Sequence, residues 1–317
     1  MKKWRVLALL SILPILLLCL GCSLAGQHSA TKNTLALKSL ENLRAQSDKP
    51  QSATTEPYRF IAFGDWGSGT QFQKDTAQQM ALQYAKAPFD AALTLGDNIY
   101  EVGNVNKLGK VYFTDMYAPL LQHQVHFIVA LGNHDVVMGH GDAQVAFFKM
   151  PGYYYVTHKP NLDLFAINSN TFAKDTVQQQ WLKNALAASH APWKIVFGHH
   201  PIYSSGEHGF NPEMRKTLEP ILVQNHVDLY LAGHDHDYER FKPIEGVQHI
   251  VSGGGGAYLR DFAKVLPNSL VRVKANHFLS FELEQGSLRM TVIDKTGQII
   301  DQAEWHKAQR QNLQIEG

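Results

Sequence analysis

The sequence predicts an α/β (α+β) domain, a mixed β-sheet covered by helices. Short apolar runs of strand length alternate with stretches of helical period through the first part of the domain. After residue 247 strands follow one another without helices. Five of the apolar runs end in a glycine followed by a side chain able to bind a metal. In open α/β sheets ligands gather beyond the carboxyl ends of the strands, so the third feature supports the first two.

The 317 residues are 44% hydrophobic and 18% charged, enough to bury a sizeable core. The formal net charge of +1 argues against nucleic acid as a partner. The cysteines, Cys19 and Cys22, both lie in the first segment, so the domain has neither a disulfide nor a thiolate ligand. The 16 histidines are unusual, and several stand beside glycine. Any metal must be held by imidazole, carboxylate, amide or phenolate, which suit Fe, Mn or Zn.

Met1-Lys2-Lys3-Trp4-Arg5 is a basic start, and Val6 to Leu20 is almost wholly apolar. That run is shorter than the ~20 residues a bilayer span needs, and it fits the apolar region of an export signal. Gly21-Cys22 resembles a bacterial lipoprotein processing site, with Cys19 where such sites usually carry Leu. The expectation is a signal peptide over 1–22, lipid attachment at Cys22, and a periplasmic or membrane-anchored protein. Residues 23–56, rich in Ser, Thr, Gln, Ala and Lys, read as a linker. The catalytic domain is expected over 57–305, with a polar tail over 306–317.

Arg59–Phe63 reads as a strand ending in Gly64-Asp65-Trp66-Gly67, followed by a helix over 71–86. Ala91–Leu95 ends in Gly96-Asp97-Asn98-Ile99-Tyr100, and a helix is expected near 112–121. Val125–Leu131 ends in Gly132-Asn133-His134-Asp135, and further strands are expected at Tyr153–Val156 and Leu162–Asn168. Asp175 or Thr176 caps a helix whose Trp181, Leu182, Ala185 and Leu186 share one face. Lys194–Phe197 ends in Gly198-His199-His200-Pro201, and Asn211-Pro212 opens a helix to about Gln224. Val227–Ala232 ends in Gly233-His234-Asp235-His236. The closing strands are expected at Gln248–Ser252, Phe278–Leu283, Leu288–Ile293 and Gln298–Ala303.

Two histidines two residues apart point the same way on extended backbone, toward one metal or toward two neighbouring ones. The candidate ligands are Asp65, Asp97, Tyr100, Asn133, His199, His234 and His236. They are too many for one tetrahedral zinc and suit two ions roughly 3.5–4 Å apart with a bridging carboxylate.

These clusters, with Glu207-His208-Gly209, resemble the calcineurin-type metallophosphoesterases, and Tyr100 narrows the likeness to the purple acid phosphatases. The details look most like the small, tartrate-resistant subgroup. The resemblance implies a four-layer αββα sandwich of two mixed sheets flanked by helices. It implies that Asp65, Asp97, Tyr100 and His236 hold Fe(III), while Asp97, Asn133, His199 and His234 hold divalent Fe, Zn or Mn. It implies that His134 and His208 bind phosphate and protonate the leaving group, and that Glu207 orients His208. The implied activity is hydrolysis of small-molecule phosphomonoesters by metal-activated hydroxide. A monomer is expected. Its rivals are phosphodiester or nucleotide hydrolysis at the same site and a non-catalytic metal-binding surface protein. His200 stands where some members have Tyr, and the disulfide of animal members is missing.

Ser252–Gly256 lacks the Lys-Ser/Thr and helix of a P-loop and reads as a flexible turn at the site rim. Tyr153–Tyr155 reads as strand packing, and Asp235 and Asp237 as loop fasteners. Tyr238 and Arg240 are weaker candidates for touching substrate.

Overall fold

The computed structural model describes residues 56–307 apart from 285. The expected signal peptide, nearly all of the linker and most of the tail lie outside the described residues.

The first sheet has the order β13-β12-β11-β1-β2-β3. Its parallel strands are β1 (Tyr58–Phe63), β2 (Ala91–Leu95) and β3 (His126–Ala130). They are flanked by antiparallel β11 (His277–Glu284), β12 (Ser287–Asp294) and β13 (Ile299–His306). The second sheet runs β10-β8-β9-β7-β6-β5-β4. Here β5 (Leu162–Ala166), β6 (Trp193–Phe197), β7 (Leu229–Ala232) and β9 (Gln248–Ser252) are parallel. Antiparallel β4 (Tyr155–Lys159) closes one edge, and β8 (Tyr238–Phe241) with β10 (Ser269–Val273) the other.

Alternation along the strands decides the layers. Phe60 and Ala62 of β1 join Leu93, Leu164, Ile195, Leu229 and Phe281 in the core between the sheets. Ile61 and Phe63 point the other way, onto Ala77 and Met80 of α1 (Gln71–Lys86). On the outer face of the second sheet, Phe165, Val196 and Tyr230 pack against Leu182 and Leu186 of α2 (Thr176–Ala188). The result is the expected four layers.

Several boundaries differ from expectation for local reasons. The helix near 112–121 is two pieces, a π-helical turn over Lys110–Asp115 and the short helix Ala118–Gln122 with Pro at its start. The helix from Pro212 breaks at Leu218, and Glu219–Gln224 restarts with Pro in its first turn. The strand expected from Tyr153 begins at Tyr155, whose hydroxyl donates to Val129 O at 2.8 Å and so ties the two sheets.

Strands β8 and β10 were not expected. Tyr238 and Arg240 lie in β8, where both donate to Asp301 of β13, Tyr238 Oη at 2.6 Å and Arg240 Nε at 2.6 Å. They clamp one sheet to the other instead of touching substrate. The glycine run 253–256 is likewise not a flexible turn. It is buried, Gly255 N donates to Gly64 O at 2.9 Å, and a Cβ on Gly253 would fall 2.1 Å from Asp235 O. Glycine is required there for close backbone approach.

Candidate metal centre

The parallel strands of both sheets end at the same side of the molecule, and their last residues carry the candidate ligands. Asp65 follows β1, Asp97 and Tyr100 follow β2, and Asn133 follows β3. His199 follows β6, while His234 and His236 follow β7. Asp65, Asp97 and His234 take φ of 56°, 51° and 73°. Such left-handed backbone costs a non-glycine residue roughly 1–2 kcal/mol and is retained where surrounding structure enforces it. Two glycines make room for the carboxylates. A Cβ on Gly132 would lie 2.1 Å from Asp97 Oδ1, and one on Gly233 would lie 2.4 Å from Asp65 Oδ2.

Six of the seven side chains form two trios, with Asp97 between them. In the first, Tyr100 Oη is 3.1 Å from Asp65 Oδ1 and 3.1 Å from His236 Nε2, and His236 Nε2 is 3.3 Å from Asp65 Oδ1. In the second, His199 Nε2 is 2.9 Å from Asn133 Oδ1 and 3.0 Å from His234 Nδ1. Asp97 Oδ2 lies 3.5 Å from His199 Nε2, and burial and the Asp97 carboxylate act on Tyr100 of the other trio as well. Asp97 is thus the residue common to both.

Outer contacts select which imidazole nitrogen faces inward. His199 Nδ1 donates to Leu95 O at 2.9 Å, and His236 Nδ1 donates to Tyr258 O at 2.7 Å. In the neutral ring each Nε2 then presents a lone pair to the centre. Ring nitrogens of His199 and His234 and the amide oxygen of Asn133 converge at 2.9–3.0 Å, close enough to share one cation. Nitrogen and oxygen atoms of Asp65, Asp97 and His199 lie within 4.8 Å of one another, as do those of His199, His200 and His234. The residues present therefore fit metal ions of the oxygen- and nitrogen-loving kind.

Electrostatics agree. Burial pulls the His199 imidazole down, but Asp97 and Asp65 outweigh it and hold it above its ordinary value. Burial would raise Asp65, yet His199 and His236 keep its carboxyl below the usual range. His234 is pushed well down by burial and by its histidine neighbours, so it stays neutral. Burial and the carboxylates of Asp65 and Asp97 drive the Tyr100 phenol well up. Only a strongly charged cation would draw a phenolate from it.

His134 stands at the mouth. Its backbone N donates to Asp97 Oδ1 at 3.0 Å, and its ring packs 4.5 Å from that of Tyr100. Its Nδ1 is occupied by Glu101 O, which leaves Nε2 facing the opening, 3.9 Å from Asp97 Oδ2. The His208 ring stacks on His234 at 4.0 Å, with its backbone N held by Asp235 Oδ1 at 2.9 Å. Glu207 does not meet the expectation that it orients His208. Among the described residues it faces Arg260 at 3.6 Å and makes no hydrogen bond to His208.

Asp235 fastens the loop as expected, accepting from Ser204 Oγ, His208 N and Gly209 N. Asp237 does not. Its buried carboxylate oxygens have no partner among the described residues, and burial with Asp235 pushes it up to about 8. His200 accepts or shares a hydrogen bond with Ser169 Oγ at 2.9 Å, and burial holds it down to about 3.

Sequence reading missed three supports. Asp135 is fully buried and accepts from Asn98 N, Ile99 N and Gly132 N, so it locks the ligand loops after β2 and β3 together. Ser169 Oγ accepts from His199 N at 3.1 Å and His200 N at 2.9 Å. The segment after Gly256 brings Tyr258 and Arg260 to the rim. Asp135 had a signal, its place in the Asn-His-Asp cluster; Ser169 and Arg260 had none.

Residues 58–238 match the family described as calcineurin-like phosphoesterase. Purple acid phosphatase 3 of Arabidopsis thaliana is 30% identical over 302 residues, 83% of this chain and 81% of that protein. Tartrate-resistant acid phosphatase type 5 of Homo sapiens is 28% identical over 292 residues, 77% of this chain and 89% of that protein. The solved purple acid phosphatase from yellow lupin seeds, 21% identical, superposes with a TM-score of 0.71 over 82% of this chain and 56% of that chain, and supports the fold. The motif-bearing strands, the layer order and the long match place the chain in the calcineurin-like phosphoesterase family, among the purple acid phosphatases.

Proposed function

We propose that this protein is an acid phosphatase that hydrolyses small-molecule phosphomonoesters at a dinuclear metal centre. The observation that carries the reading is the pair of nitrogen and oxygen trios meeting at Asp97. Asp65, Tyr100 and His236 would hold Fe(III), and Asn133, His199 and His234 would hold divalent Fe, Zn or Mn, with Asp97 shared. Bound there, two cations neutralise phosphoryl oxygens and lower the pKa of water.

The remaining work falls to the chain. His134 Nε2 faces the opening with its ring fixed through Nδ1, so a proton carried on Nε2 can pass to the departing alkoxide. His208, braced on His234 and Asp235, offers a second imidazole to the phosphoryl group. The left-handed backbone at Asp65, Asp97 and His234 holds ligand positions before substrate arrives, which is the preorganisation such charge stabilisation needs.

The N-terminal features support export and a lipid anchor at Cys22. The reading takes 57–305 as the catalytic domain and the protein as a monomer. Membrane fractionation of Cys22→Ala tests the anchor; release of the variant into the soluble fraction is expected, and unchanged retention would refute it.

The function is tested by turnover of p-nitrophenyl phosphate against bis(p-nitrophenyl) phosphate by the metal-loaded protein. The monoester is expected to be favoured. Preferred turnover of the diester would make it a phosphodiesterase, and hydrolysis of neither would leave a metal-binding protein without this chemistry.

A further inference from the structure

The segment between β9 and β10 lies along the mouth of the centre and is pinned to both sides of it. Ala257 N donates to Asp65 O at 2.8 Å, and Arg260 N donates to His236 O at 3.2 Å. Farther on, Lys264 N donates to Ser205 O at 3.2 Å and Leu266 N donates to Ser205 Oγ at 3.1 Å. One end is therefore tied to the Asp65–His236 trio and the other to the loop that carries His208.

Two cations ride on this segment. The Arg260 guanidinium reaches toward Glu207, Nη1 to Oε2 at 3.6 Å, with side chains 33% and 50% exposed. That is an ion pair beyond hydrogen-bond length, and no side-chain hydrogen bond of Arg260 is present among the described residues. A guanidinium has five N–H donors in a planar fork suited to carboxylate or phosphate. Among the described residues those of Arg260 meet no acceptor at hydrogen-bond length, and its ion-pair partner Glu207 adjoins His208 in the chain. Lys264 adds charge next to the same loop: a Cβ on Gly209 would lie 3.8 Å from its Nζ.

The segment tied to Asp65 and His236 is thus placed to meet the alcohol of a phosphoryl group held by the centre. We propose that Arg260 is a specificity-determining residue that selects phosphomonoesters whose leaving alcohol carries a second anionic group, a carboxylate or another phosphate. Lys264 supplies longer-range attraction to the same group. The inference rests on the phosphomonoesterase reading and leaves its reaction unchanged: water oxygen bonds to phosphorus, the P–O bond to the alcohol breaks, and the alkoxide takes a proton.

The test uses three esters on one ring, phenyl phosphate, 3-carboxyphenyl phosphate and benzene-1,3-diyl bis(phosphate), with metal-loaded wild type, Arg260→Ala and Arg260→Lys. Wild type should show higher kcat/KM for the two anionic esters. Arg260→Ala should lower their kcat/KM relative to phenyl phosphate by about tenfold, the loss of one exposed charge-assisted contact, chiefly through KM. Arg260→Lys should restore part of the preference. Whichever anionic ester loses more in Arg260→Ala names the second group. Equal losses on all three esters would make Arg260 a support for Glu207 and His208 and overturn the proposal, as would an unchanged preference. Hydrolysis of none of the esters by wild type would instead remove the phosphomonoesterase reading, and the inference with it.

Discussion

The two trios of the centre are built by the same device and filled with different donors. Each gathers side chains from the ends of strands in both sheets, and each has a histidine whose Nδ1 is held by a backbone carbonyl. The Asp65 trio holds a carboxylate, a phenol and one imidazole. The Asn133 trio holds a neutral amide and two imidazoles, one of them approaching through Nδ1. The first can offer two negative charges beyond Asp97; the second offers none. Tyr100 yields its proton only to a cation strong enough to offset burial, Asp65 and Asp97. Charge, rather than shape, would therefore sort a trivalent ion to one side and a divalent ion to the other.

Removing the shared residue should give the largest effect. Asp97→Ala is expected to lose both metals and lower phosphatase turnover on the order of 10³-fold or more, since both trios lose their common charge. Metal analysis showing two ions and full activity would dismantle the bridged arrangement. Asn133→Ala separates the halves. It should weaken the divalent ion by roughly 10- to 100-fold while leaving the trivalent one, if loss of one neutral ligand costs as much as loss of a supporting contact does. Equal loss of both ions would mean that the trios are not independent.

His134→Ala leaves both trios intact. The expected result is full metal content with turnover reduced by about 10²-fold, the lower range for a lost proton donor. A pH–rate profile unchanged from wild type, at wild-type rate, would take His134 out of the reaction.

The five strand–glycine–ligand clusters were legible because each is local: a few residues encode the strand, its end and the donor. The helix over 71–86 was legible to the residue for the same reason, with Thr70 accepting from Gln73 N as its cap. What the sequence concealed depends on distant partners. The strand Tyr-Glu-Arg-Phe has a polar look, yet Glu239 is buried and bonded to Ser205 and Ser269, and Arg240 meets Asp301 across the sheets. The glycine run at 253–256 reads as loose until the backbones of Gly64 and Asp235 are seen pressed against it. The ion pair of Glu207 with Arg260 spans loops that no local pattern joins.

The smallest predicted effect separates the acid response of the scaffold from that of the trios. His249 is buried on β9 with both ring nitrogens unpartnered among the described residues, and burial holds it down to about 3. The unfolded chain binds this proton near 6.5, so unfolding takes up a proton increasingly as pH falls from 6.5 toward 3, and stability declines through that window. His249→Leu should remove roughly 2 kcal/mol of the loss between pH 6.5 and 5, visible as a flatter dependence of urea midpoint on pH. An unchanged slope would place the acid sensitivity elsewhere, His277, held down to about 4, being the next buried imidazole.

The most direct test of unequal trios is the visible absorption spectrum with metal content, taken on the oxidised protein and on Tyr100→Phe. Wild type should show a broad tyrosinate-to-iron band and two metals per chain, with the band lost and the divalent ion retained in Tyr100→Phe. A colourless, fully active protein holding two divalent ions, indifferent to Tyr100→Phe, would contradict unequal trios.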